Sequence, residues 1–268
     1  GINDEGETFF TMKYVEGENF REILERLKQG DKKTLDQYPI SERIEIFQKI
    51  CDAIAFAHSR GVLHLDIKPA NIQIGAYGEV LLCDWGLAKI LDASCEDPYL
   101  ERYSFDHIER HNMTLDGLVK GTPGFMAPEQ VKRGQRKDER TDIYSLGALL
   151  FEMVTLKCSV SGTVTEKIQN TEESNLVDYD SRILPESLTA IFSKALRKSP
   201  SQRYQNLKEL LADIRSYKTG FATGAEEATL RRQIKLFYRR NKRVCLLTLG
   251  FLHVLMIAIT LVFIEIRK

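Results

Sequence analysis

The sequence predicts a mainly α domain of the α+β class with a few short strands, followed by one membrane-spanning helix. Three observations carry this. Apolar residues recur at helical spacing in several separate segments, runs rich in strand formers are few and short, and Val244 to Ile264 is 21 residues without a formal charge. At 1.5 Å per residue, 21 residues reach roughly 31 Å, which matches the roughly 30 Å of bilayer hydrocarbon.

The elements follow in order. Gly1 to Gly6 reads as a turn, and Phe9 to Val15 (FFTMKYV) as a strand broken by Glu16-Gly17. Asn19 to Gln29 places Phe20, Ile23, Leu24 and Leu27 on one helical face and stops at Gly30. The polar stretch 28–37 is expected to be loop. Ser41 is the expected cap of a helix from Glu42 to Arg60, whose buried face is Ile44, Phe47, Ile50, Cys51, Ile54 and Ala55. Val62 to Ile74 and Glu79 to Cys83 are apolar runs joined at a Gly75–Gly78 turn, the pattern of a hairpin. Residues 89–120 are polar and irregular, and a loop that long inside a compact domain serves function or moves. Thr141 to Thr155 is a strongly apolar helix. Pro185 precedes two more helices, about 186–198 and 205–217. Residues 219–224 form a small-residue linker, and Ala225 to Arg243 a basic, partly amphipathic helix beside the span.

Composition narrows the function. The 268 residues carry 38 Lys plus Arg against 38 Asp plus Glu, so bulk charge points to no nucleic-acid partner. The five cysteines form no CxxC pair, which argues against a zinc site or a disulfide framework and for a reduced setting. The sequence starts at Gly1 rather than Met, which reads as a processed or partial chain, and it opens on no signal peptide. Arg231, Arg232, Lys235, Arg239, Arg240, Lys242 and Arg243 precede the span, which puts that flank and everything before it in the cytoplasm. Arg267 and Lys268 weaken the bias slightly. The same basic stretch reads either as a topology signal or as a binder of anionic lipid worth about 1 kcal/mol per charge. His253, inside the span, reads as a neutral side chain facing a neighbouring helix ahead of a functional proton site.

Five segments carry chemistry. In His64-Leu65-Asp66-Ile67-Lys68-Pro69-Ala70-Asn71, one loop supplies a carboxylate, a cation two residues on and an amide five residues on. Phosphoryl transfer to a hydroxyl needs those three: a group to orient the hydroxyl and take its proton, a cation near the phosphate, and oxygen ligands for magnesium. Asp84-Trp85-Gly86 ends the second hairpin strand and adds a carboxylate, the ligand that a hard cation prefers. Gly121-Thr122-Pro123-Gly124-Phe125-Met126-Ala127-Pro128-Glu129 is the third segment. Asp142 opens the apolar helix, and Arg203 lies between the last two helices.

In this order and at these intervals the five segments resemble the protein kinase family over about residues 7–217. Lys68 and the GTPGFMAPE string resemble its serine/threonine branch, and the DWG variant with a trailing membrane helix resembles a bacterial receptor-type kinase. The resemblance implies a kinase-like large lobe with short strands at the nucleotide edge, ATP and Mg2+ as cofactors, and protein Ser/Thr hydroxyls as acceptors. It makes Asp66 the catalytic base and Lys68 the contact to the transferring phosphate, with Asn71 and Asp84 as magnesium ligands. Met12 falls at the gatekeeper position, backbone groups of Lys13 and Val15 would bond adenine, and Gln73 would floor the adenine pocket where an apolar residue is usual. Thr122 would set acceptor register, Glu129 and Arg203 would form the buried ion pair of the substrate platform, and Asp142 would accept from the catalytic-loop backbone. His64 would position the loop and Trp85 would pack. The implied domains are 1–18 for the last small-lobe strand and hinge, 19–218 for the large lobe, 219–243 for the basic juxtamembrane segment and 244–264 for the span.

The pattern also departs from the family. No Gly-rich phosphate loop and no VAIK-type strand lysine occur, so the small lobe is expected to be missing and the chain alone to lack useful activity. Leu65 replaces the Arg that pairs with an activation-segment phosphate, which weakens a regulatory role for Thr114. The competing function is a pseudokinase or scaffold that binds partners without chemistry, although four retained polar residues (Asp66, Lys68, Asn71 and Asp84) exceed what a scaffold needs. A small-molecule phosphotransferase shares the HxDxxxxN loop but has no use for the peptide platform.

Overall fold

The computed structural model describes residues 16–91, 121–132, 135–180, 182 and 184–267. The strand expected over 9–15, with Met12, Lys13 and Val15, lies outside the described residues, as does Thr114 with most of the 89–120 segment.

The described chain opens with β1 (Glu18–Asn19) and α1 (Phe20–Lys28). Asn19 caps α1, its side chain accepting from Arg21 N at 2.9 Å, and Gly30 ends the segment at φ 77°. Acidic Glu22 stands in the first turn and basic Arg26 and Lys28 in the last, which suits the helix dipole. Phe20, Ile23, Leu24 and Leu27 are buried. The stretch expected to be loop instead contains α2 (Lys32–Gln37), because Asp31 caps it, accepting from Thr34 N at 2.9 Å. The helix expected to start at a Ser41 cap is α3 (Ile40–Ser59). Pro39 is its N-cap and accepts from Arg43 N at 3.1 Å. Proline suits a helix start because it has no N–H to leave unpaired.

Next come β2 (Val62–Leu63), a 3-10 turn Pro69–Asn71, β3 (Ile72–Ile74), β4 (Val80–Leu82) and β5 (Lys89–Ile90). β3 and β4 form the hairpin, with Ile72 opposite Leu82 and Ile74 opposite Val80, and β1 adds to the other edge of β3, with Glu18 opposite Ile74. β2 and β5 pair antiparallel in a second small sheet. Gly17 sits at φ 148°, where a Cβ would lie 2.6 Å from Ile74 O, so the backbone before β1 passes β3 more closely than any side chain allows.

The helical body comprises α4 (Pro128–Val131), α5 (Glu139–Thr155), α6 (Val164–Glu173), α7 (Glu186–Ala195) and α8 (Leu207–Thr219). α6 carries a Thr163–Glu166 capping box. From Thr141 to Val154 every residue of α5 is buried, so this helix is the axis of the core and has no solvated face. It packs on α7 where Gly147 meets Ala195, and a Cβ at 147 would come within 2.7 Å of the Ala195 Cβ. Phe151, Tyr179 and Phe192 close that side as an edge-to-face trio with centroids 5.2 to 5.4 Å apart. Glu152, also on α5, is buried and receives Arg21 and Lys28 of α1, each at 2.7 Å.

The helix expected over 225–243 is shorter and follows a 3-10 turn, Gly224–Glu226. It is α9 (Leu230–Arg240), separated by Asn241 from α10 (Lys242–Ile266). The linker before it is tied to the lobe. Asp213 of α8 accepts from Gly224 N at 2.6 Å, Ala225 N at 3.0 Å and Tyr204 Oη at 2.8 Å. Lys242–Ile264 is long and apolar enough to cross a membrane, and none of its most apolar stretch is buried.

Candidate active site

The loop 64–71 is held from below by α5. Asp142, with no exposed surface, accepts from His64 N through Oδ2 and from Leu65 N through Oδ1, both at 2.9 Å. His58 Nε2 reaches the same Oδ2 at 2.8 Å. The backbone has to turn sharply here, and Leu65 takes φ 64°, a region that costs a branched residue roughly 1–2 kcal/mol. That conformation is clamped from both ends of the residue, since Gln130 Nε2 also donates to Leu65 O at 2.8 Å. Gln130 and His58 thus position the loop. The sequence reading named neither. Gln130 stands next to Glu129, so the motif pointed near it, whereas nothing in the sequence marks His58.

His64 is buried, and its two ring nitrogens have different partners. Nδ1 accepts from Asp66 N at 3.2 Å, so the proton belongs on Nε2, which donates to Cys83 O at 3.3 Å. Burial lowers its pKa below the ordinary 6.5, against the opposing pull of Asp142, the Cys83 carbonyl, Asp66 and Asp84. A neutral imidazole therefore links the loop to the hairpin. The Trp85 ring lies tilted against it, centroids 4.5 Å apart and planes at 53°, and donates from Nε1 to Leu82 O at 3.1 Å.

Three side chains meet at Asp66, itself 7 % exposed. Lys68 Nζ lies 2.6 Å from Oδ2 and donates to Thr122 Oγ1 at 2.7 Å, and Thr122 Oγ1 donates to Asp66 Oδ1 at 2.8 Å. This closed cycle joins the loop to the segment 121–131. Asn71 Nδ2 donates to Asp66 O at 2.9 Å and to Asp66 Oδ2 at 3.1 Å, which commits the amide hydrogens and leaves its carbonyl oxygen for another ligand.

Cys83 N donates to Asn71 O at 2.8 Å, so the hairpin ladder carries Asp84 to the end of the strand beside Asn71. Asp84 is exposed, sits at φ 58° and, among the described residues, accepts a long bond from Gly86 N at 3.3 Å. Among the described residues no cluster of three or more His, Cys, Asp or Glu is spaced to hold a metal. One carboxylate and one amide oxygen suit magnesium, which keeps most of its shell as water and substrate phosphate, and not a caged ion. Gln73 is half-buried on β3 between Asn19 and Leu81. Asn19 Nδ2 donates to Ala70 O at 2.8 Å, which ties the start of α1 to the loop.

Glu129 and Arg203 meet in the interior, with Arg203 Nη1 and Nη2 donating to the two carboxylate oxygens at 2.7 and 2.8 Å. Arg203 also donates to Arg197 O, Lys198 O and Arg140 O, and lies over the Tyr144 ring at 4.9 Å. Burial pushes the Tyr144 hydroxyl up to about 12.

Residues 2–214 match the model of the protein kinase domain. The chain is 39% identical over 227 residues to the serine/threonine-protein kinase PknD of Protochlamydia amoebophila, covering 81% of this chain and 23% of that protein. It is 34% identical over 225 residues to PknD of Chlamydia caviae (81% and 24%), and 33% identical over 248 residues to PknD of Chlamydia trachomatis (85% and 26%). The chain therefore spans about a quarter of the length of the curated relatives it matches.

Proposed function

The chain belongs to the protein kinase family, and from that premise we propose that it carries the large lobe of a membrane-tethered serine/threonine protein kinase. The reaction moves the γ-phosphate of ATP to a protein hydroxyl. The observation that carries the reading is the cycle Asp66–Lys68–Thr122, with Asn71 on the same carboxylate. In this layout residues 1–18 are the last small-lobe strand and hinge, 19–218 the large lobe, 219–243 the juxtamembrane segment and 244–264 the span, with the lobe on the cytoplasmic side.

Bound Mg-ATP supplies the electrophile and neutralises phosphate charge. The chain's own residues do the rest. Asp66 orients the acceptor hydroxyl and takes its proton as the oxygen attacks. Lys68 keeps a cation beside that carboxylate and faces the transferring phosphate. Thr122 fixes both against the peptide platform, whose floor is pinned by Glu129 and Arg203. Asn71 and Asp84 present oxygens to magnesium, and neutral His64 holds their two segments in register. The family resemblance assigns the adenine contacts to Met12, Lys13, Val15 and Gln73, of which Gln73 is a described residue, on β3.

The sequence has no Gly-rich loop and no strand lysine of the VAIK kind. The chain alone is expected to transfer phosphate too slowly to be useful, and activity is expected once a kinase small lobe is fused ahead of Gly1. The test is magnesium-dependent phosphorylation of Ser/Thr peptides by that fusion. Asp66→Asn should lower the rate by about 10²–10⁴, the usual worth of a positioned general base. A folded fusion that binds nucleotide but transfers no phosphate would favour the scaffold reading instead.

A further inference from the structure

We propose that α9 is an interfacial helix that binds the anionic phospholipid surface of the membrane and holds the large lobe against it. The proposal rests on the membrane-spanning reading of α10. Three stripes run along α9, each at i, i+4 or i+3 spacing. Arg232 and Leu236 face the lobe. Leu236 is buried, and Arg232 lies 2.9 Å from both Glu186 and Glu226. Leu230, Ile234 and Phe237 form a second stripe and are 72, 59 and 52 % exposed. Arg231, Lys235 and Arg239 form the third, all exposed, and none makes an ion pair with another described residue.

An exposed apolar stripe beside a cationic one is the pattern of a helix lying in the plane of a bilayer, with its apolar side at the acyl boundary and its basic side among headgroups. The position of α9 selects that occupant. Only Asn241 separates it from α10, so its last turn cannot leave the surface where the span enters the bilayer. Its 11 residues extend roughly 16 Å along the helix axis. Charge complementarity agrees. A cavity of about 530 Å³ between α8 and α9 is lined by Lys218, Arg232, Arg239 and Arg240 against one carboxylate, Glu186. Lys218 is engaged by Glu45 and Gln48, and Arg232 by the two glutamates. Arg240 stacks on the Phe221 ring at 3.7 Å, which holds its guanidinium in place. Arg240 also reaches Gly220 O at 3.5 Å, a long bond that leaves most of its donors uncommitted, so Arg239 and Arg240 are the cations placed to take a phosphate headgroup.

The test uses the whole chain in nanodiscs of zwitterionic phosphatidylcholine, with or without anionic phosphatidylglycerol. A photo-reactive benzoyl-phenylalanine replaces Phe237 in one protein and Phe251, inside the span, in another. The expected result is lipid adducts at 251 in both disc types, and at 237 only with anionic lipid. The triple variant Arg231→Gln/Lys235→Gln/Arg239→Gln should reduce the yield at 237 to that of zwitterionic discs, with an unchanged melting curve. Adducts at 251 but none at 237, equal yields at 237 in both disc types, or protein adducts at 237 overturn the α9 proposal and leave the span standing. Absence of lipid adducts at 251 overturns both.

Discussion

Replacing Arg203 with alanine strands five acceptors at once. Its guanidinium donates to both oxygens of Glu129 and to the carbonyls of Arg140, Arg197 and Lys198, at 2.7 to 2.9 Å. Glu129 is 3 % exposed, so the carboxylate left behind is a buried charge with no counter-ion. Breaking such a pair costs about 3–5 kcal/mol. For a domain of this size, 1 kcal/mol shifts the melting temperature by roughly 2–4 °C, so the expected loss is about 6–20 °C. Thermal and urea denaturation of the full chain in detergent, followed by far-UV circular dichroism, measure the loss in °C and in kcal/mol, with the α10 signal as a constant background. Trp85 fluorescence, 4.5 Å from His64, shows whether the 64–71 loop goes with it. The double variant Glu129→Leu/Arg203→Met leaves no buried charge and should cost less than either single truncation. An Arg203→Ala protein within about 0.5 kcal/mol of the parent would refute the argument, because that is the range of an inconsequential surface change.

Other expectations follow from the same contacts. Asp142→Ala leaves the His64 and Leu65 amides and the His58 ring without an acceptor, at about 1–3 kcal/mol for each buried group, and urea midpoints measure it. Because burial depresses the His64 pKa, the unfolded chain takes up this proton more readily than the folded one. The His64 contribution to stability is therefore complete above pH 6.5 and is lost as pH falls through that value. Denaturation between pH 8 and 5 should show a slope that His64→Gln reduces. Gly147→Ala forces a Cβ to within 2.7 Å of Ala195 and should cost about 1–3 kcal/mol, most of it recovered by adding Ala195→Gly.

The apolar helices and the hairpin were legible because each has a single strong local signal. Phe20, Ile23, Leu24 and Leu27 repeat at helical spacing, and the Gly75–Gly78 turn joins two short apolar runs. Two short helices were less legible because polar residues mask them. α2 and α6 are set by caps, Asp31 on Thr34 and Thr163 on Glu166, and a reading led by apolar periodicity passes over a cap. The site was legible as a list of residue types at fixed intervals, but not as a geometry. The spacing of Asp66 and Lys68 does not say that Thr122 closes a cycle between them. Nor does any local rule place leucine at φ 64°, because long-range bonds to Asp142 and from Gln130 hold Leu65 there.

Asp142 and Gly147 ride the same helix, five residues or roughly 7.5 Å apart along its axis. One end of that rod sets where the loop of Asp66 stands, and the middle is seated in a seam with no slack against Ala195. A wedge driven into the seam would swing the loop without touching any residue of it. The placement of that loop is thus set by how tightly two helices are mated deep inside the fold.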